Sequence, residues 1–129
     1  MTNGVIIISD DMVFVQLISS LIYIRLEHVI VTPCKTYQEL DNQMNTLSVA
    51  LVLIDGKIST MSGIEVTRYL RMTKEYIMPI WFFPEIVNES YIYKVKEMGA
   101  NRMVYRPFDP YVIVSEIESL LSPLISTSL

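Results

Sequence analysis

The chain has few of the residues that build covalent or metal frameworks: one cysteine, Cys34, and one histidine, His28, in 129 residues. A single cysteine excludes a disulfide framework and a cysteine cluster for zinc. Cys34 therefore reads as a small packing residue. His28, without ligand partners, makes neither a metal site nor a phosphodonor and reads as an ordinary loop residue. Basic residues are outnumbered by acidic ones, 10 to 14, for a net charge of −4. That balance argues against direct nucleic-acid contact, which needs a basic surface. Apolar residues reach 51% and mean hydropathy is +0.38, yet no apolar run attains the ~18 residues of a membrane span. The longest, 12–26, is broken by Gln16, Ser19, Ser20 and Arg25. No basic leader precedes an apolar stretch at the N-terminus, so no signal peptide is expected, and the expected location is cytoplasmic. Repeats, low-complexity segments and linkers are missing too. The length suits one domain, with a core over about 4–122 and a short tail at 123–129, expected to fray after Pro123.

What is present is an alternation. Five apolar segments lack period-2 patterning and read as strands buried on both faces: 5–9, 29–32, 50–54, 79–83 and 102–105. Helical stretches lie between and after them: 11–25, 36–45, 63–74, 88–98 and a last one from 109. Gly99 suits a helix C-terminus, and "DP" at 109–110 suits a helix start. Five β-α units imply a parallel sheet with helices on both faces. Right-handed crossovers leave few topologies, with strand order 2-1-3-4-5 a leading one. The expected fold class is therefore α/β, a flavodoxin-like, doubly wound (βα)5 domain.

Function in such sheets gathers at the carboxyl ends of the strands. After strand 1 come Asp10 and Asp11. After strand 3 comes Asp55, after strand 4 Pro84 and Glu85, and after strand 5 Arg106 and Pro107. If strands 1 and 3 are neighbours, three carboxylates converge. Like charges at such range need a cation, and carboxylate oxygens suit Mg²⁺. Any one of these aspartates alone reads as a strand end or helix cap; three on neighbouring strands read as a site.

These pieces, in order, resemble a response-regulator receiver domain over about 4–122. They are "DD" at 10–11, "DGKISTMSG" at 55–63 with Met61 and Gly63 in the loop, "MPIWFFPE" at 78–85 and "GANRMVYRPF" at 99–108. The resemblance implies that Asp55 accepts a phosphoryl group from a histidine kinase or phosphotransfer protein, giving an acyl phosphate. It implies Mg²⁺ held by Asp10, Asp11, Asp55 and the backbone carbonyl of Lys57. It also implies a phosphate-gripping cation after strand 5, a hydroxyl after strand 4 and an aromatic reporter on strand 5.

The chain departs from that pattern in its switching half. The Ser/Thr position falls on Pro84, which has neither hydroxyl nor N–H. The small position after it falls on Glu85, whose carboxylate repels phosphate. The lysine falls on Arg106, a planar fork able to pair with Glu85 or Asp55 and take the phosphate's place. The aromatic falls on Met103, with Tyr105 as a substitute two residues on. The loop proline falls on Ser59, and Lys57 stands near enough to neutralise the acidic cluster or to pair with Glu85. Arg106–Pro107 is expected to be cis.

The surface also carries a signal. In the first helix Val13, Phe14, Val15, Leu17, Ile18, Leu21, Ile22, Ile24 and Leu26 span roughly 220° of arc, against the ~100° one buried face needs. Val15, Ile22 and Leu26, at the ends of that arc, have no obvious core to enter. Tyr111 and Val114 lie off the last helix's stripe, and Tyr91 and Tyr93 add aromatic surface on the fourth. Either neighbouring side chains cover such residues or they mark subunit, kinase or effector contacts.

The expected function is therefore a stand-alone receiver of a two-component or phosphorelay system, signalling by protein–protein contact. It is not itself an enzyme, and a homodimer is possible. The alternative is a pseudo-receiver, an interaction module that does not switch by phosphorylation. A metal-dependent phosphatase or other flavodoxin-like enzyme lacks supporting motifs, and a flavin site lacks a Ser/Thr-rich phosphate loop after strand 1.

Overall fold

In a computed structural model, which describes residues 3–126, five parallel strands form one sheet in the order β2-β1-β3-β4-β5. They are β1 (Asn3–Ile8), β2 (Val29–Cys34), β3 (Ser48–Asp55), β4 (Ile80–Phe83) and β5 (Arg102–Met103). Between and after them run α1 (Met12–Arg25), α2 (Tyr37–Thr46), α3 (Gly63–Arg68), α4 (Glu89–Glu97) and α5 (Pro110–Ser126). The expected fold class and strand order are those observed. α5 continues past Pro123; residues 127–129 of the expected tail lie outside the described residues.

The central strands are apolar because both their faces are covered. Alternate residues feed two cores. Val5, Ile7, Leu51, Leu53, Trp81, Phe83 and Val104 meet α1 and α5 on one face. Ile6, Ile8, Val52, Ile54, Ile80, Phe82 and Met103 meet α2, α3 and α4 on the other. Cys34 is buried in the second core, as a packing residue should be. Burial pushes its thiol up to about 12.

Each helix starts where a side chain caps it. Asp11, Thr36, Ser62 and Asn88 accept backbone N–H bonds at the starts of α1 to α4. Asp109 accepts from the Tyr111 N–H at 2.9 Å, so "DP" opens α5 as expected. Gly99, at φ +116°, closes α4 in a conformation that costs other residues a steric penalty.

The structure settles three further points. The third helix is not α-helical throughout. Tyr69–Thr73 forms a π turn, closed by Lys74 N–H to Tyr69 C=O. Arg71 leaves this turn to bond the Gly99 and Tyr76 carbonyls and the Asn101 side chain. Val15, Ile22 and Leu26 are buried, because α5 packs beside α1 and covers that end of the arc; the exposed end is Val13, Leu17 and Ile24. Val114 is buried, and Tyr91 packs partly against the second core, while Tyr93 and Tyr111 are exposed.

The outer edge of β2 is closed by a side chain. Tyr23 of α1 places its hydroxyl 2.9 Å from the Val31 amide, which donates to it, and donates to the Val31 carbonyl at 3.3 Å. Pro33 lies two residues on along the same strand edge, where it has no N–H to leave unpaired.

Candidate functional site

The carboxyl ends of β1, β3, β4 and β5 meet at one end of the sheet. Asp55, the last residue of β3, is fully buried there. A buried carboxylate needs several donors, and Asp55 has three. Lys57 N–H donates to Oδ1 at 2.9 Å, Arg106 Nη2 donates to Oδ1 at 3.0 Å, and Ser9 Oγ donates to Oδ2 at 2.7 Å.

Arg106 reaches Asp55 from the chain segment after β5. Its ion pair uses one nitrogen only; Nη1 turns to the Phe83 carbonyl at 3.0 Å and the Pro84 carbonyl at 3.5 Å. The pairing is therefore not the bidentate fork on a carboxylate, and it selects Asp55 rather than Glu85. Below the guanidinium lie the rings of Phe14 at 5.4 Å and Phe83 at 5.9 Å, both within cation–π range. One side chain thus joins β3, the end of β4 and α1. The Arg106–Pro107 peptide is cis.

Pro84 is buried, and Glu85 is exposed. Gly56 lets the β3 loop approach this strand end closely. Its N–H donates to the Phe83 carbonyl at 2.8 Å, and a Cβ there would stand 2.7 Å from the same oxygen. Met103 lies buried at the end of β5, Tyr105 is exposed, and the Lys57 side chain is exposed without joining the carboxylates.

Asp10 and Asp11 stand next to this cluster but are engaged elsewhere. Asp11 Oδ1 caps α1, accepting from Val13 N–H at 3.0 Å and Phe14 N–H at 3.2 Å. Asp10 Oδ2 accepts from both the hydroxyl and the amide of Ser59, whose bonds hold its carboxyl below the usual range. Ser59 thus ties the β3–α3 loop to the end of β1.

A divalent cation needs several oxygens turned to one point. Here Asp11 holds a helix end, Asp10 holds a loop and Asp55 holds Ser9 and Arg106. Among the described residues, no group of three His, Cys, Asp or Glu side chains is arranged to hold a metal ion. As placed, Asp10 Oδ2, Asp11 Oδ1 and both oxygens of Asp55 are taken up by protein donors.

Sequence reasoning missed Ser9. It is 1% exposed, and besides donating to Asp55 it accepts the Asp11 N–H at 3.0 Å. The available signal was a lone hydroxyl ending an apolar strand, which must find a partner once buried.

A five-stranded doubly wound sheet with a buried aspartate ending β3 and a cation reaching it from beyond β5 defines a flavodoxin-like α/β domain with a charged pocket at its strand ends. The family model of the response regulator receiver domain matches residues 5–118, and the chain belongs to that family. It is thus a receiver domain of a response regulator, a component of two-component systems. No curated protein matches the chain. Solved structures share its fold at low identity. The signal receiver domain of a DNA-binding response regulator from Colwellia psychrerythraea superposes with a TM-score of 0.80 at 12% identity, over 92% of this chain and 98% of that one. The chemotaxis response regulator CheY4 of Vibrio cholerae gives 0.76 at 18% identity, over 94% and 100%. A response regulator receiver protein from Pseudoalteromonas atlantica gives 0.77 at 12% identity, over 94% and 98%. Among the described residues no helix is long and apolar enough to cross a membrane.

Proposed function

We propose that this receiver signals by protein–protein contact with its Asp55 pocket latched shut by Arg106. One observation carries the reading: the guanidinium divides its donors between Asp55 and the Phe83 and Pro84 carbonyls. It takes the place an incoming phosphoryl group needs. A carboxylate acts as nucleophile through a free, approachable oxygen. Asp55 is buried, and both its oxygens accept hydrogen bonds. Pro84 has no donor to answer a phosphate, and the exposed Glu85 adds negative charge beside the pocket. The partners of such a domain are an upstream kinase or phosphotransfer protein and a downstream effector, in the cytoplasm. Its output is a surface, and it is not itself an enzyme.

A second reading keeps phosphotransfer from a histidine kinase to Asp55. It is favoured by Arg106 being part of a side chain still 23% exposed, so its fork has a way out, and by the affinity of guanidinium for phosphate. In that state Mg²⁺ would draw on Asp10 and Asp11, each of which commits one carboxylate oxygen to Ser59 or to the α1 cap.

The test is intact mass after incubation with Mg²⁺ and acetyl phosphate. The latched reading expects no phosphoryl gain in the wild type and no beryllofluoride binding. It expects gain in a variant carrying Pro84→Thr, Glu85→Ala and Arg106→Lys. A base-labile gain in the wild type, lost in Asp55→Asn, overturns the latch and establishes the second reading.

A further inference from the structure

Asp55 is held from two sides. Arg106 reaches it from the β5 side of β3, and Ser9, which directly follows β1, reaches it from the other. Among the described residues three polar side chains are buried: Ser9, Asp55 and Thr67. Thr67 bonds within its own helix, to the Gly63 carbonyl, while Ser9 and Asp55 bond each other across 46 positions of sequence. The direction of that bond follows from the protons available. Asp11 N–H brings its own proton to Ser9 Oγ at 3.0 Å, so the hydroxyl oxygen accepts there. An ionised carboxylate has no proton to give, so the hydroxyl donates to Asp55 Oδ2 at 2.7 Å. The serine backbone is fixed as well. Its N–H donates to the Cys34 carbonyl at 3.1 Å, carrying the β1–β2 pairing one residue past the strand.

The donors divide between the two oxygens. Arg106 and the Lys57 N–H are on Oδ1, and Ser9 is on Oδ2. With the arginine withdrawn, Oδ1 keeps the Lys57 N–H and Oδ2 keeps the serine. A donor on each oxygen holds the carboxylate against rotation about its Cβ–Cγ bond. The hydroxyl also draws charge from the group that has to attack, and a hydrogen bond to an ionised acceptor is roughly twice as strong as a neutral one. Opening the arginine latch therefore leaves Asp55 still restrained.

We propose that Ser9 is a positioning residue that restrains Asp55 independently of Arg106, an inner lock on the pocket behind the outer one. The inference rests on the latched reading of Asp55 and adds to it a residue from the opposite side of β3.

The test is the rate of phosphoryl gain from acetyl phosphate with Mg²⁺, followed by intact mass. In that step an Asp55 oxygen bonds to phosphorus, the acetyl O–P bond breaks and acetate leaves. Ser9→Ala and Ser9→Thr are each placed in the wild type and in the variant carrying Pro84→Thr, Glu85→Ala and Arg106→Lys. In that variant Ser9→Ala is expected to raise the rate roughly tenfold or more. Ser9→Thr, which keeps a hydroxyl, is expected to return the rate toward that of serine. In the wild type, where Arg106 still covers Asp55, Ser9→Ala is expected to give no gain. Circular dichroism and urea midpoints confirm folding, and a serine that is merely structural lowers the midpoint without raising the rate. Gain in Ser9→Ala alone overturns the arginine latch but supports the inner lock. Gain in the wild type itself also overturns the latch, and the tenfold rise is then sought in that background. A rate unchanged or lowered by Ser9→Ala in any background that labels overturns the inner lock, as does a failure of every variant to label.

Discussion

The two flanks of the pocket retain different things. The acidic flank, Asp10 and Asp11, has the residue types of a cation site but applies them to local structure, a helix cap and a loop tie. The opposite flank, Pro84, Glu85 and Arg106, is organised around Arg106, which is bonded into the pocket at three points. Residue type and residue use are therefore separable. Acidic residues can serve the fold, and a lone arginine can be tied into the pocket beside them.

That contrast is tested first at its strong side. Arg106→Ala leaves Asp55 buried without its cation, and breaking a buried pair in this way costs about 3 kcal/mol, measurable as a lower urea midpoint. A double-mutant cycle with Asp55→Ala is expected to give a double variant less destabilised than the sum of the singles. Additive losses refute a latch. Ser9→Ala is next. It strips one donor from a buried carboxylate and is expected to cost about 2 kcal/mol, whereas a change within error means that water replaces the hydroxyl. On the acidic flank Asp11→Ala removes only a helix cap, worth about 1 kcal/mol, and Asp11→Ser is expected to recover most of it. Failure of serine to rescue the cap shows that the charge of Asp11 matters beyond α1.

Asp10 carries the smallest effect, visible in pH. Its carboxyl is held below the usual range by Ser59, so the folded state favours the ionised form. That contribution is fully present above the unfolded value of about 4 and is lost as pH falls through the lowered folded value. Asp10→Asn is expected to flatten the acid limb of stability against pH below about 4, with little change near pH 7. Parallel acid limbs for wild type and variant contradict the Ser59 contact.

The order of the sheet and the position of Asp55 were legible because they rest on strong periodic signals: uninterrupted apolar strands, regular alternation and a charge at each strand end. The use of the side chains was less legible. Whether Asp11 faces a metal or caps α1 depends on where the first helical turn begins, which a sequence places only to within a residue or two. Which end of the apolar arc of α1 is buried depends on the side from which α5 docks, and periodicity within α1 carries no record of that. The π turn at Tyr69–Thr73 adds one residue to a helical repeat, too small a phase change to stand out in so short a segment.

The hydroxyl of Tyr23 has a further consequence. It fills the outward amide and carbonyl of Val31 on one margin of the sheet. At the other margin β5 offers just two residues, Arg102 and Met103. A partner peptide that recognises by adding itself as a sixth strand finds little main chain free at either margin. Recognition by strand addition is thereby disfavoured at both margins of the sheet.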